Sequence, residues 1–169
     1  MPRYRLTIEY DGGPFTGWQS QAGGTSVQDL LERAVAIING EPSMVYGAGR
    51  TDAGVHALAQ VAHVDLAKSW DPFKLRNALN GNMRERPVSV LEAEEVPDDF
   101  HARFSATGKV YVYRLRRGDT LLPHGGLVEA LASEPLDVGA MRAAAARLVG
   151  ARDFAPFSIT GSDPGTTVW

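Results

Sequence analysis

After Met1 and Pro2 the chain runs Arg3-Tyr4-Arg5-Leu6-Thr7-Ile8-Glu9-Tyr10, in which charged or polar side chains alternate with large apolar or aromatic ones. Successive side chains of a β-strand point to opposite faces, so this alternation predicts a strand with one buried and one polar face. Asp11-Gly12-Gly13-Pro14 comes next, and glycine and proline favour turns. We therefore predict a first strand over residues 3–10, followed by a loop.

The sequence up to Val96 predicts five further elements. Apolar residues recur at helical spacing from Val27 to Ile38, with Ser26 before them as a capping residue and Thr25 with Gln28 as a capping box. Asn39-Gly40 is typical of a helix end. The other predicted elements are strands at Met44–Ala48, Leu58–Leu66 and Val88–Val96, and a helix with Asp71 as its cap, Pro72 at its first position and Asn80-Gly81 at its end.

The order strand, helix, strand, strand, helix, strand predicts an α+β fold. It matches the ferredoxin-like (RRM-like) unit, an antiparallel sheet with both helices on one face and the other face free. We assign this unit to residues 1–96. The pattern of residues 97–169 predicts the start of a second α+β unit, with a strand at Lys109–Leu115 and an alanine-rich helix from about Asp137 to Val149. One strand and one helix are too little for a packed layer, so we expect the chain to be part of a longer protein.

Charge is distributed unevenly along the chain. Its 17 basic and 20 acidic side chains give a formal net charge of −3, cysteine is absent, and neither a signal peptide nor an apolar run long enough to span a bilayer is evident. We expect a soluble, cytoplasmic protein. Acids dominate residues 85–99, and we expect a polyanion partner to meet the following stretch, which contains only basic charges: Arg103, Lys109, Arg114, Arg116 and Arg117.

The densest candidate site is the turn Gly47-Ala48-Gly49-Arg50-Thr51-Asp52-Ala53-Gly54-Val55-His56. Its small residues allow a ligand to approach the backbone, and Arg50 could hold the Asp52 carboxylate ionised. The pattern alone leaves a plainer reading open, in which Asp52 forms a turn and Arg50 a surface ion pair. No Gly-Lys-Ser/Thr follows the glycines, so a P-loop is excluded. Metal binding through Asp52, His56, His63 and Asp65 matches no usual ligand spacing.

The motif Gly49-Arg50-Thr51-Asp52-Ala53-Gly54-Val55-His56 resembles the signature of the tRNA pseudouridine synthase A (TruA) family. The likeness covers essentially the whole chain, which would correspond to the N-terminal two thirds of the family length. Further matching motifs are Ile8-Glu9-Tyr10-Asp11-Gly12, Phe15, Gly17-Trp18-Gln19, Ser26-Val27-Gln28, Asn80, Val96-Pro97, Phe100-His101-Ala102-Arg103-Phe104-Ser105-Ala106 and Tyr111-Val112-Tyr113.

The resemblance implies a fold and a reaction. The fold is that of the pseudouridine synthases, whose second unit would be incomplete here. The reaction isomerises uridine to pseudouridine in the anticodon arm of tRNA, at positions 38 to 40, and needs no cofactor or metal. A carboxylate suits it as a nucleophile or a base. The resemblance further implies a homodimer for the full-length protein, and we expect the 169-residue chain alone to be inactive.

The resemblance also implies roles for individual residues. Asp52 would be the catalytic group, Arg50 would assist base flipping and Tyr111 would pack on the uracil. Independently of the resemblance, the place of His56 at the entry to the next predicted strand favours a role in ordering the loop. His101, Arg103 and Lys109 lie in the basic stretch and could meet RNA phosphates, although Arg103 could equally pair with Asp98 or Asp99. The chain departs from the family at Ser20, where many members carry a basic residue.

Two other functions stay open at this point. A non-catalytic RNA-binding module would stack bases on Tyr111 and Tyr113 of a free sheet face and would not need Asp52. We expect Tyr113 itself to be a core residue. A metal-dependent hydrolase would use Asp52, His56 and His63 and would lose activity with a chelator.

Overall fold

A computed structural model of the chain describes residues 1–120 and 128–157. The chain divides into two compact units, Met1–Val112 and Tyr113–Trp169. The division falls later than the predicted boundary at residue 96, because residues 97–105 pack back onto the sheet of the first unit. The elements of the first unit are β1 Arg3–Tyr10, α1 Val27–Asn39, β2 Val45–Gly47, β3 Ala57–Asp65, α2 Pro72–Asn82 and β4 Val88–Val96.

The first unit contains a four-stranded antiparallel sheet in the order β2-β3-β1-β4. Tyr4, Leu6, Ile8 and Tyr10 of β1 are all buried, and the helices contribute to the same core. The alternation in residues 3–10 is confirmed as the pattern of a strand with one buried face. The structure is therefore α+β, and the first unit contains the predicted strands and helices in the predicted order.

The helix caps explain where the two helices begin. Ser26 caps α1 as predicted, but the capping box joins Ser26 to Asp29. The predicted pair of Thr25 and Gln28 is wrong, because the Gln28 side chain instead accepts hydrogen bonds from residues 19 and 20. Asp71 caps α2 with Pro72 at its first position, as predicted. The α2 helix continues through Gly81 to Asn82.

One end of the sheet brings several loops together. Tyr10, the last residue of β1, pairs with Ala57 at the start of β3 and with Val88 at the start of β4. The Asp11 amide also donates to the Pro87 carbonyl at 3.0 Å. Residues 11–18, residues 48–56 and the turn before β4 therefore meet at this end.

The other face of the sheet is not free throughout. His63 of β3 points away from the helices, yet it is 2% exposed, because residues 100–102 cover it. Arg3 anchors this segment with hydrogen bonds to the carbonyls of Asp98, at 2.6 Å, and Phe100, at 2.8 Å. The expectation of a wholly free face is wrong in this respect.

The second unit is described to residue 157. It contains β5 Leu115–Arg117 paired in parallel with β6 Ala130–Ala132, then α3 Val138–Ala146 and a 3₁₀ turn at Ala155–Phe157. Asp137 caps α3, which ends earlier than predicted because tighter bonds from Arg147 and Leu148 close its last turn. Residues 158–169, with the glycine-containing stretch from Thr160, lie outside the described residues. No helix in the described ranges is both long and apolar enough to cross a membrane.

The strand predicted at Lys109–Leu115 is wrong for most of its length. Only Leu115 belongs to a strand. The Arg114 carbonyl accepts a hydrogen bond from the Ala130 amide at 2.8 Å, and residues 109–113 pair with no strand in the described ranges. An alternating pattern becomes a strand only where a second backbone accepts its hydrogen bonds.

Candidate active site

Thr51 is the most firmly held residue of the loop that contains Asp52. Its carbonyl accepts a hydrogen bond from the Trp18 amide at 2.9 Å, and its Oγ1 lies 2.8 Å from the hydroxyl of Tyr10. Gly17 has a φ of +101°, and a Cβ on it would lie only 2.5 Å from the Thr51 carbonyl oxygen. The backbone immediately before Asp52 therefore rests directly on residues 17 and 18.

The two sides of the loop are held as well. On one side the Gln60 side chain donates to the Gly49 carbonyl at 2.7 Å. On the other, a Cβ on Gly12 would overlap the Val55 carbonyl, so only glycine allows this close approach. The Val55 amide donates to the Asp52 carbonyl at 3.2 Å, which closes a turn around Asp52.

His56 ties the end of the loop to the start of the 11–18 segment. Its Nδ1 lies 3.0 Å from Asp11 Oδ1 and 3.3 Å from the Gly12 amide nitrogen. A protonated Nδ1 can donate to the carboxylate, and an unprotonated Nδ1 can accept from the amide. The ring thus has a partner in either state, which is the geometry of a residue that orders a loop.

Asp52 itself is exposed at the tip of this turn. No hydrogen bond or ion pair engages its carboxylate in the part of the chain that the structure describes. Arg50 is also exposed, and it forms no ion pair with Asp52, so the expected pairing of these two side chains is absent here. The result is an accessible carboxylate on a backbone that is fixed by its neighbours.

Lys109 lies beside the same loop, although it is distant in sequence. A Cβ on Gly49 would be 2.8 Å from its Nζ, so the ammonium group lies against the backbone that leads to Arg50. Arg103 directly follows the residues that cover His63, and its guanidinium lies 5.9 Å from the ring centre of the exposed Phe104. Arg103 forms no ion pair with Asp98 or Asp99.

The tyrosines at 111 and 113 do not belong to the sheet. Tyr111 is 68% exposed and Tyr113 is 88% exposed, so the prediction of Tyr113 as a core residue is wrong. The absence of a strand at 109–114 also removes the alternating aromatic platform on which the RNA-binding-module interpretation rested.

His63 is the buried member of an aromatic cluster on the sheet. Its ring stacks on Tyr46 at 5.0 Å and meets His101 at 4.6 Å, while its Nδ1 accepts from the Ala102 amide at 3.1 Å. Burial, and then the charges of His101 and Arg3, lower the pKa of His63 to about 4. Across residues 1–120 and 128–157, no three histidine or carboxylate side chains are grouped to hold a metal ion. The Asp52–His56–His63 combination is therefore not assembled.

Several residues that hold the site received no role in the sequence analysis. The sequence singles out Tyr10 only as a strand residue and part of a matching motif, Gly17 and Trp18 only as parts of a motif, and Asp11 only as part of a turn and a motif. What these residues share is their place in the chain: Tyr10 is the last residue of β1, and the others lie in the segment that follows it, at the end of the sheet where the Asp52 loop lies.

Comparisons with known proteins agree on one family. A sequence model described as tRNA pseudouridine synthase matches residues 6–105. A relative from Nitrobacter winogradskyi named tRNA pseudouridine synthase A is 56% identical over 95% of this chain and 63% of its own length. Relatives of the same name from Maricaulis maris and Cereibacter sphaeroides are 54% and 48% identical, over 93% and 99% of this chain and 63% and 66% of their own lengths.

The chain thus spans a little under two thirds of the length of the relatives it matches. The family match covers more than half of the chain and includes the loop that carries Asp52. This chain therefore belongs to the tRNA pseudouridine synthase family.

Proposed function

We propose that the protein isomerises uridine to pseudouridine in tRNA, with Asp52 as the catalytic carboxylate. One observation carries this proposal: Asp52 presents an exposed carboxylate, without a partner among the described residues, on a backbone that is held in place. Hydrogen bonds hold this backbone at Gly49 and Thr51, and Gly12 and Gly17 pack closely against it. A fixed backbone with a free functional group is what catalysis by positioning requires. Membership of the family supports the reaction class.

The reaction balances without a cofactor. The bond between ribose C1′ and uracil N1 breaks, the uracil turns, and a bond forms between C1′ and C5. The hydrogen on C5 leaves as a proton, and N1 gains a proton. Asp52 would act as a nucleophile on the ribose or uracil, or as a base on a ribose proton, and its exposed position is compatible with each of these roles.

The neighbours of Asp52 would handle the target nucleotide. A base must leave the helical stack before its C1′ can be reached. We assign Arg50, exposed two residues before Asp52, to the flipping step, and Tyr111 to contact with the uracil ring. His56 orders the loop through residues 11 and 12. Arg103 and Lys109 would bind phosphates, and the contact of Lys109 with the loop favours a phosphate next to the flipped nucleotide.

The remaining assignments rest on the resemblance. We propose that the substrate uridines are those at positions 38 to 40 of the anticodon arm and that the complete protein is a cytoplasmic homodimer. We also propose that residues 1–96 form a ferredoxin-like unit followed by a second α+β unit of the pseudouridine synthase fold. The strand order β4-β1-β3-β2 in the first unit supports the ferredoxin-like assignment.

The test uses a chimera in which this chain replaces the segment that it matches in the Nitrobacter winogradskyi relative. The Asp52→Asn variant keeps the size of the side chain and removes the nucleophile or base. We expect it to bind unmodified tRNA as the parent does and to form pseudouridine more than about 10³-fold more slowly. Asp99→Asn, which neutralises an exposed carboxylate outside the loop, is the matched control.

The outcome separates the enzyme from an RNA-binding module. Turnover by Asp52→Asn within a few-fold of the parent chimera would refute the catalytic assignment. We further propose that the 169-residue chain does not turn over tRNA by itself, because Asp52 and Tyr111 are both open to solvent and a flipped base must be enclosed. Comparable turnover by the chain and the chimera would contradict this.

A further inference from the structure

The hydrogen bond between Tyr10 and Thr51 joins the core of the sheet to the residue before Asp52. Tyr10 is 3% exposed, and its ring lies among core residues, 6.1 Å from the ring of Trp18. Its hydroxyl lies 2.8 Å from Thr51 Oγ1. Burial raises the pKa of Tyr10, so the hydroxyl stays neutral and can donate or accept.

Two polar groups of Thr51 are held by hydrogen bonds. The side-chain hydroxyl is held by Tyr10, and the carbonyl is held by the Trp18 amide at 2.9 Å. Both partners flank the same loop, residues 11–17, which leaves the end of β1. Asp52 comes next in the chain, and its side chain has no partner in the described ranges. The backbone of Thr51 therefore fixes the point from which the Asp52 side chain leaves the loop.

We infer that Tyr10 and Thr51 are positioning residues for the reaction of Asp52. Their hydrogen bond holds the direction in which the Asp52 side chain leaves the loop, and neither residue touches the substrate. The inference rests on the proposed function. Its physical basis is that a displacement of about 1 Å in a reacting group can lower a rate by about 10²-fold.

The first measurement is steady-state kinetics of the chimera. Tyr10→Phe and Thr51→Val each remove one hydroxyl, and we expect each to lower kcat by about 10- to 100-fold while KM and the Kd for tRNA change by less than about 3-fold. Thr51→Ser keeps the hydroxyl and is expected to retain kcat within about 3-fold. The double variant is expected to be no slower than the slower single variant, because both changes break the same hydrogen bond between Tyr10 and Thr51.

Tyr4→Phe is a matched control on the same strand. Tyr4 is fully buried on the same face of β1, and its hydroxyl bonds the Trp70 backbone at 2.7 and 2.9 Å, at the opposite end of the sheet. If buried tyrosine hydroxyls had a purely structural role, Tyr4→Phe and Tyr10→Phe would both lower the melting temperature and would have the same kcat. We expect kcat to separate the two variants.

The second measurement uses the 169-residue chain and does not depend on activity. Tyr10→Phe is expected to speed hydrogen exchange at the Trp18 and Val55 amides by about 10-fold, while the amide of Leu6 in β1 stays protected. A kcat within 3-fold of the parent for both single variants, multiplying losses in the double variant, or unchanged exchange at both amides would each overturn the inference. Full turnover by Asp52→Asn would instead refute the proposed function.

Discussion

A fall in pH from 7 to 5 is expected to destabilise the first unit through His63. The ring is 2% exposed, and its Nδ1 accepts a hydrogen bond from the Ala102 amide. Protonation of Nδ1 would place the N–H of His63 against the N–H of Ala102, two donors with no acceptor between them. The groups that face the ring are Tyr46, His101, Arg3 and Asp65. Two of these, Arg3 and His101, can carry positive charge, so a further positive charge on His63 is unfavourable.

The size of the effect follows from the two pKa values. Burial first, and then His101 and Arg3, lower the pKa of His63 from 6.5 to about 4, against a smaller opposing effect of Asp65. The unfolded chain therefore binds more protons between these values, and the free energy of unfolding falls as the pH falls. The stabilisation is present above pH 6.5 and is lost towards pH 4. Between pH 7 and pH 5 the loss amounts to about 2 kcal/mol.

Urea unfolding at several pH values measures this loss, with circular dichroism and tryptophan fluorescence as probes. His63→Asn keeps an acceptor near the position of Nδ1 but does not titrate. We expect the variant to be less stable than the parent at pH 7, because it loses ring packing, and to lose about 2 kcal/mol less between pH 7 and pH 5. Equal losses for the variant and the parent would refute the reasoning and place the titrating group elsewhere.

Two further changes test the loop and its surroundings. Gly17→Ala is expected to lower the melting temperature and the turnover rate of the chimera. The positive φ of this residue disfavours a side chain, and its Cβ would lie 2.5 Å from the Thr51 carbonyl oxygen. An unchanged melting temperature and an unchanged turnover rate would contradict the tight contact. Lys109→Gln is expected to reduce the slope of log affinity against log salt for tRNA binding by about 0.7 to 0.9, whereas Lys68→Gln at the opposite end of the sheet should not change it. Equal slopes in filter-binding titrations of the two variants would remove Lys109 from the RNA surface.

The local elements of the first unit were predictable because short-range physics determines them. The alternation from Arg3 to Tyr10 needs only the two-residue period of a strand, and Ser26 and Asp71 cap helices by bonding amides three residues ahead. The Asp52 loop could be selected as a candidate site because a cation, a hydroxyl, a carboxylate and an imidazole seldom share a short glycine-containing turn. These inferences use neighbours in sequence only.

Residues 109–114 show where such reasoning fails. Their side chains have the β-branched and aromatic character of a strand, but a strand also needs a partner backbone, and in the described ranges none pairs with residues 109–113. The same limit applies to Tyr113, whose aromatic ring was predicted as core and is 88% exposed. Sequence periodicity states which face would be buried and not whether anything covers it.

Contacts between distant residues were decided by the tertiary structure alone. The antiparallel pairing of β1 with β3 and β4 brings residues 10–18 to the Asp52 loop, where Tyr10 meets Thr51 and Asp11 meets His56. His63 became a buried acceptor because the segment after β4 crosses the sheet. The sequence by itself determined which chemical groups the protein carries and the local shape of each segment. Register and chain crossing, which depend on partners far away along the chain, decided which of those groups are held, which are buried and which, like Asp52, remain exposed.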